Sequence, residues 1–306
     1  MNNNFAIKVE NLSKIFTKNN YKINALQDFS INIPKGSIHG LLGPNGAGKS
    51  TFINILSGIV KKTQGSVIIE DIDQDKNPIA TRKKIGIVPQ ELNIDPFFTP
   101  FELLELQAGL YGINKKNRRT EQILEDLGLS EQRDAYARTL SGGMRRRLLI
   151  AKALVHDPEI IILDEPTAGV DVELRLHLWK YVDELKNMGK TICLTTHYLE
   201  EAEKMCDLIT IINKGVKVIE DKKENLLNLF SNRKVKFDIS KINIKVPEKL
   251  KPLIYEDEDD SLMFEYNKKN ISLSDIIKEL NINNIKFSEI KTFDEDLESI
   301  FLKITK

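Results

Sequence analysis

The stretch Gly43-Pro44-Asn45-Gly46-Ala47-Gly48-Lys49-Ser50-Thr51 narrows the choice of fold more than any other part of the chain. It fits the spacing G-x-x-x-x-G-K-[ST]. A short apolar run, Ser37 to Leu42, leads into it. From Lys49 to Ser57 the pattern turns helical, with Phe52, Ile53 and Leu56 on one face. Strand, glycine-rich loop and helix form the context in which backbone N–H groups fold round a polyphosphate. The helix adds its positive N-terminal end. Lys49 is placed to reach the β- and γ-phosphates, and the Ser50 hydroxyl to bind Mg²⁺.

A second apolar run, Ile160-Ile161-Ile162-Leu163, ends in Asp164 and Glu165. At the C-terminal edge of a parallel sheet, Asp164 is expected to hold the magnesium ion, directly or through water. Side chains alternate along a strand, so Glu165 is expected to face elsewhere and polarise an attacking water. Further strands are expected at Val67–Ile69, Ile85–Val88, Thr191–Thr195, Leu208–Ile212 and Val216–Ile219, and helices at Val172–Asn187 and Leu199–Met205. Such alternation predicts an α/β fold with a mostly parallel sheet covered on both faces. The N-terminal alternation of Phe5, Ile7 and Val9, and of Leu26, Phe29, Ile31 and Ile33, predicts extended structure ahead of it. From Thr99 to about Val155 apolar residues recur at helical spacing: Phe101, Leu104 and Ala108, then Ile123, Leu124 and Leu127.

Length and composition fit one large domain and a small one, or a single large domain. The chain has 306 residues, 41% of them hydrophobic and 29% charged, which excludes a largely disordered chain. Lys plus Arg and Asp plus Glu number 45 each, so bulk charge steers the chain to neither nucleic acid nor an anionic membrane. Cys193 and Cys206 fit neither a zinc site nor a redox pair, and are expected to be buried and reduced. Met1-Asn2-Asn3-Asn4 carries no apolar signal core, and no apolar run is long enough to cross a bilayer. A second chain is expected to supply any spanning helices.

Leu140-Ser141-Gly142-Gly143-Met144 resembles the signature motif of ABC-transporter ATPases. The fifth residue of that motif is usually Gln, but drug-exporter members commonly carry Met. The other motifs of the family stand in order. Gln90 matches the glutamine-loop residue, Asp171 the loop that meets the opposite subunit, and His197 the switch histidine. Phe16 stands where the family places an aromatic that stacks on adenine. The resemblance covers about residues 5–220. It implies a P-loop NTPase fold with an antiparallel β subdomain and a helical subdomain. The nucleotide-binding domain is expected over 1–220, with a helical insert at about 93–155.

The resemblance implies ATP and Mg²⁺ as cofactors. It places Gly43 to Thr51, Phe16 and Gln90 on ATP, and Ser50, Gln90 and Asp164 on the metal. Lys49, Glu165 and His197 are the catalytic set. Ser141 to Met144 act on the ATP of a second copy in a head-to-tail homodimer, and Asp171 lines the dimer contact. Arg145-Arg146-Arg147 is expected to be a solvated or phosphate-facing stretch of the signature helix. The run from Ala168 to Arg175, together with Met144, is similar to the ATPases of type-two ABC exporters, which work with a separate permease. The chain is then cytoplasmic and peripheral on the inner membrane face, with no nucleic-acid partner.

Residues 221–306 are rich in Lys, Asn and Ile and read as a small α+β accessory or dimerisation domain. Within it, Glu256 to Asp260 is expected to be a solvated loop. Leu297, Ile300 and Phe301, near the end, fall on one helical face. Two other classes fit less well. A soluble ABC protein acting on ribosome or nucleic acid usually carries two cassettes or a long coiled coil. A non-catalytic cassette would not need Lys49, Asp164, Glu165 and His197 together.

Overall fold

Alternating apolar residues open the chain with two long strands, β1 (Phe5–Lys18) and β2 (Tyr21–Pro34). They pair antiparallel and bury Ile7, Val9 and Leu12 against Leu26, Phe29, Ile31 and Ile33. The structure, a computed structural model, describes residues 4–18, 21–167, 172–197, 199–229, 232–239, 246–258, 261–267 and 270–294. All five residues of β3 (Ile38–Leu42) are buried, as a strand with parallel neighbours on both sides requires. Helix α1 (Lys49–Leu56) follows, then β4 (Gln64–Ile69) and β5 (Ile72–Asp73). These last two complete a four-stranded antiparallel sheet in the order β2-β1-β4-β5. Helix α2 (Pro78–Lys83), capped by the Asn77 side chain, leads to β6 (Ile85–Val88).

The insert is helical. Thr99 and Glu102 form a reciprocal capping box, with Pro100 at the first helical position, and so fix the start of α3 (Pro100–Leu110). Next come α4 (Thr120–Asp126) and α5 (Gly142–Leu154). Their packed faces are Leu103, Leu104 and Ala108, then Ile123 and Leu124, then Leu148 and Leu149. Phe101, expected on the buried face of α3, is only half-buried, and Leu103 takes that place. The Arg133 guanidinium lies 3.8 Å over the Phe101 ring.

The chain then returns to the sheet through β7 (Ile160–Asp164), α6 (Val172–Asn187), β8 (Thr191–Thr196), α7 (Leu199–Met205), β9 (Leu208–Asn213) and β10 (Val216–Lys222). The sheet order is β10-β9-β3-β8-β7-β6, all parallel except the edge strand β10. One hydrophobic core joins this sheet to the antiparallel one. Phe52 of α1 meets Phe29 of β2 edge to face at 5.2 Å, with Leu41, Ile162 and Cys193 in the same cluster. Cys193 and Cys206 are both buried free thiols.

Two compact units divide the chain, Met1–Lys222 and Lys223–Lys306. The second holds α8 (Lys223–Leu229), β11 (Asn232–Ile239), β12 (Ile254–Glu258), β13 (Ser261–Asn267), α9 (Leu273–Ile282) and β14 (Phe287–Asp294). The antiparallel order β12-β13-β11-β14 is that of a split βαβ sheet, with α9 as one crossover. Val235 and Phe237 of β11 pack with Leu262 and Phe264 of β13 and with Ile276 and Leu280 of α9. Glu256 to Glu258 are not a loop as expected: they belong to β12 and pair with Met263, Leu262 and Ser261. β12 is the sheet's edge, where the Glu256 side chain is exposed without breaking the ladder. The rest of that acidic run, and Leu297, Ile300 and Phe301, lie outside the described residues.

Candidate active site

Four neighbouring parallel strands, β3, β8, β7 and β6, end on one edge of the sheet. The Gly43 loop follows β3, Pro89 and Gln90 follow β6, Asp164 ends β7, and His197 follows β8. Ligands bind at this edge in open α/β sheets. Two glycines make the loop possible. A Cβ on Gly43 would stand 2.3 Å from the Ile212 carbonyl oxygen. Gly48, the N-cap of α1, has φ 112°, and a Cβ there would meet the Ala25 carbonyl oxygen at 2.6 Å. Pro44, Asn45, Gly46 and Ser50 are exposed at the mouth, Thr51 is half-buried and Ala47 is buried. Lys49 is buried, and its Nζ donates to the Gly43 carbonyl at 2.7 Å and the Pro44 carbonyl at 3.3 Å.

Glu165 gathers the site. Its Oε1 lies 3.7 Å from Lys49 Nζ, and its Oε2 is 3.1 Å from His197 Nδ1. Gln90 Nε2 donates to the same Oε2 at 3.0 Å. Lys49, Gln90, His197 and Glu165 are therefore in one place. The separation of Asp164 from Glu165 has a different cause from the strand alternation expected. The strand stops at Asp164, and Glu165 takes φ 46°, a left-handed turn uncommon for a residue with a Cβ. Thr195 stands beside both acids. Its hydroxyl donates to Asp164 Oδ1 at 2.5 Å and accepts the Glu165 N–H at 3.2 Å.

Burial pushes the Asp164 carboxyl above its usual range, against the Thr195 hydrogen bond, with the Glu165 charge adding to the rise. A cation at Asp164 offsets that cost. The oxygen donors at hand are the Asp164 carboxylate, the exposed Ser50 hydroxyl, and the Gln90 carbonyl oxygen, whose amide nitrogen is turned to Glu165. Hard oxygen ligands in small number suit Mg²⁺, which keeps much of its shell for water and phosphate. Among the described residues no group of three or more His, Cys, Asp or Glu side chains is arranged for a metal.

Ser141 caps α5, its hydroxyl accepting the Met144 N–H at 3.2 Å. Ser141 and Gly142 are exposed, and Gly143 and Met144 are half-buried. The arginine triplet behind them is not the solvated or phosphate-facing stretch expected. Arg145 Nε donates to the Leu140 carbonyl at 3.0 Å, and Arg147 Nη1 to those of Leu127 and Gly128 at 3.0 and 3.1 Å. Arg146 is buried, and its Nη1 donates to the Pro89 carbonyl at 2.7 Å. The reason is packing: α5 lies against the rest of the insert and the end of β6, whose free carbonyls need donors. Phe16 is part-exposed on β1, with Lys14 Nζ 4.6 Å from its ring centroid. Asp171 lies outside the described residues. Thr195 is a site neighbour to which the sequence reading gave no role, and Arg146 one that it read as solvated or phosphate-facing. Thr195 had one signal, a polar residue inside a strand buried throughout.

A glycine loop closing on a buried lysine, with paired acids at the end of another strand of the same sheet, defines a nucleoside-triphosphatase of the phosphate-loop class. The ABC transporter family model matches residues 26–168. The linearmycin resistance ATP-binding protein LnrL of Bacillus subtilis is 33% identical over 98% of this chain and 98% of its own length. The daunorubicin resistance ATP-binding protein DrrA2 of Streptomyces coeruleorubidus is 30% identical over 98% of this chain and 95% of its own. A solved ATP-binding cassette, in a dimeric post-hydrolysis state with ADP and Pi, matches with TM-score 0.64 and 30% identity over 71% of this chain and 98% of that one. The chain belongs to the ATP-binding proteins of the ABC transporter family, and it is an ATPase.

Proposed function

We propose that this chain is the motor of an exporter: two copies close head to tail on two ATP molecules and drive a separate permease. The convergence of Lys49, Gln90 and His197 on Glu165 carries this reading. When ATP enters, Lys49 exchanges its contacts with Gly43 and Pro44 for the β- and γ-phosphates. The first-turn N–H groups of α1 and the loop backbone take the remaining phosphate oxygens. Phe16 presents its ring to adenine. Ser50, Asp164 and Gln90 hold Mg²⁺, which when bound neutralises developing charge between the phosphates. Glu165 accepts a proton from the attacking water, and His197 orients the γ-phosphate.

A single copy lacks donors on the far side of the γ-phosphate. The exposed Ser141–Gly142 turn at the start of α5 supplies them to a second copy, with its positive helix end. Asp171 lies at that contact. The permease docks on the groove of about 380 Å³ beside Gln90 and the insert, lined by Ile87, Pro89, Asn93, Gln107, Tyr111 and His156. Among the described residues no helix is long and apolar enough to cross a membrane, so the permease holds the chain to the membrane's cytoplasmic face. The resistance named for LnrL and DrrA2 is in keeping with removal of a small molecule from the cell. The small second unit serves dimerisation or regulation.

Light scattering tests the closure. Glu165→Gln chain with Mg²⁺ and ATP should run as a dimer and return to monomer when Ser141→Arg is added. A dimer that persists in the double variant overturns the head-to-tail model.

A further inference from the structure

Strand β8 is buried along its whole length, yet carries three threonines where valine would fill the same space. A buried hydroxyl is costly unless bonded. Thr191 spends its hydroxyl on the Gly36 N–H at 2.9 Å, away from the site. Thr195, fully buried, spends its hydroxyl on the two acids. Its Cα lies directly across the parallel ladder from that of Asp164, on the same face of the sheet.

The direction of each bond is fixed. A carboxylate only accepts, so the single hydroxyl proton goes to Asp164 Oδ1, at 2.5 Å. The lone pairs are then left for the Glu165 N–H, at 3.2 Å, and that same N–H also reaches the Thr195 carbonyl at 3.0 Å. Thus one oxygen fixes the rotation of the Asp164 carboxylate and shares with the Thr195 carbonyl the N–H of Glu165, whose φ is a left-handed 46°. A β-branched side chain on a strand has little χ1 freedom, so this oxygen is itself held still.

We propose that Thr195 is the positioning residue of the hydrolytic pair, setting through one hydroxyl where the Asp164 carboxylate and the Glu165 side chain stand relative to each other. The inference rests on the roles proposed above for Asp164 towards the metal and Glu165 towards water. It adds a group that touches neither nucleotide nor water, and whose loss displaces both acids at once. Removing such an outer-shell partner lowers metal affinity or turnover by about ten- to a hundredfold.

The experiment compares full-length wild type, Thr195→Val, Thr195→Ser and Lys49→Ala. Three quantities are measured: ATP affinity in EDTA, Mn²⁺ affinity of the ATP complex by electron paramagnetic resonance, and steady-state kcat and KM. Thr195→Val should keep wild-type ATP affinity in EDTA, bind Mn²⁺ about tenfold more weakly, and lose about ten- to a hundredfold in kcat with KM little changed. Thr195→Ser, which restores the hydroxyl, should recover most of both losses. Wild-type Mn²⁺ affinity and kcat in Thr195→Val overturn the proposal. Equal losses in the valine and serine variants also overturn it, because the methyl and not the hydroxyl is then at work. Should Thr195→Val not fold, Thr195→Ala against Thr195→Ser makes the same comparison. The Lys49→Ala control separates the two levels. If it binds ATP as wild type does, the site assignment itself has failed. If it loses binding while Thr195→Val matches wild type, only the role of Thr195 has failed.

Discussion

Gln90 donates its side-chain N–H to Glu165 Oε2 at 3.0 Å, tying the second residue after β6 to the first residue after β7. His197 reaches the same oxygen, and Lys49 lies near the other. The acid proposed to activate water thus sits among the donors proposed to meet a γ-phosphate.

Glu165→Gln therefore keeps a polar group of the same shape but removes the base. ATP affinity should stay within a fewfold of wild type, while kcat falls by about 10² to 10⁴. Phosphate-release kinetics beside equilibrium binding of a fluorescent ATP analogue make the comparison. Turnover near the wild-type rate would remove Glu165 from the base role.

Arg146 fixes the other side of Gln90 by its bond to the adjacent Pro89 carbonyl. Burial pulls the guanidinium below its usual range, with the Asp164 charge opposing. A buried charge is a poor stabiliser, so Arg146→Met should leave the melting temperature within a few degrees of wild type. Gln90, no longer anchored, should cost about tenfold in kcat at unchanged ATP affinity. Arg146→Lys, long enough to reach the carbonyl, should recover part of it. A melting temperature that collapses with kcat would make Arg146 a packing residue instead.

These two arginine and threonine contacts mark where the sequence stopped being legible. The Gly43 to Thr51 loop could be read because its chemistry lies in consecutive residues between a strand and a helix. Asp164 and Glu165 were legible as a pair for the same reason. The αL turn that divides them was not, because its N–H is held by the Thr195 carbonyl and hydroxyl on another strand. Arg146 read as solvated or phosphate-facing because local charge density says nothing of a carbonyl waiting just past β6. Glu256 to Glu258 read as loop because acids disfavour strands, but pairing with β13 at an open edge overrides that preference. In each case a long-range partner decided the outcome.

His39 allows a test of the core that supports the loop. It sits on β3, fully buried, with Nε2 2.8 Å from the Thr210 hydroxyl. Burial, helped by the Lys217 charge, pulls its pKa from 6.5 down to about 4. Between these values the unfolded chain binds a proton that the folded chain refuses. The associated stability is complete above pH 6.5 and drains away as pH falls towards 4. The full loss is about 3 kcal/mol, of which about 2 kcal/mol falls between pH 7 and 5. Trp179 of α6 is the chain's one tryptophan, so its fluorescence in urea follows the first unit without the second. The unfolding free energy of wild type should drop more steeply from pH 7 to 5 than that of His39→Gln, which has nothing to titrate there. Parallel pH dependences in the two proteins would show that His39 is protonated in the fold near its ordinary pKa.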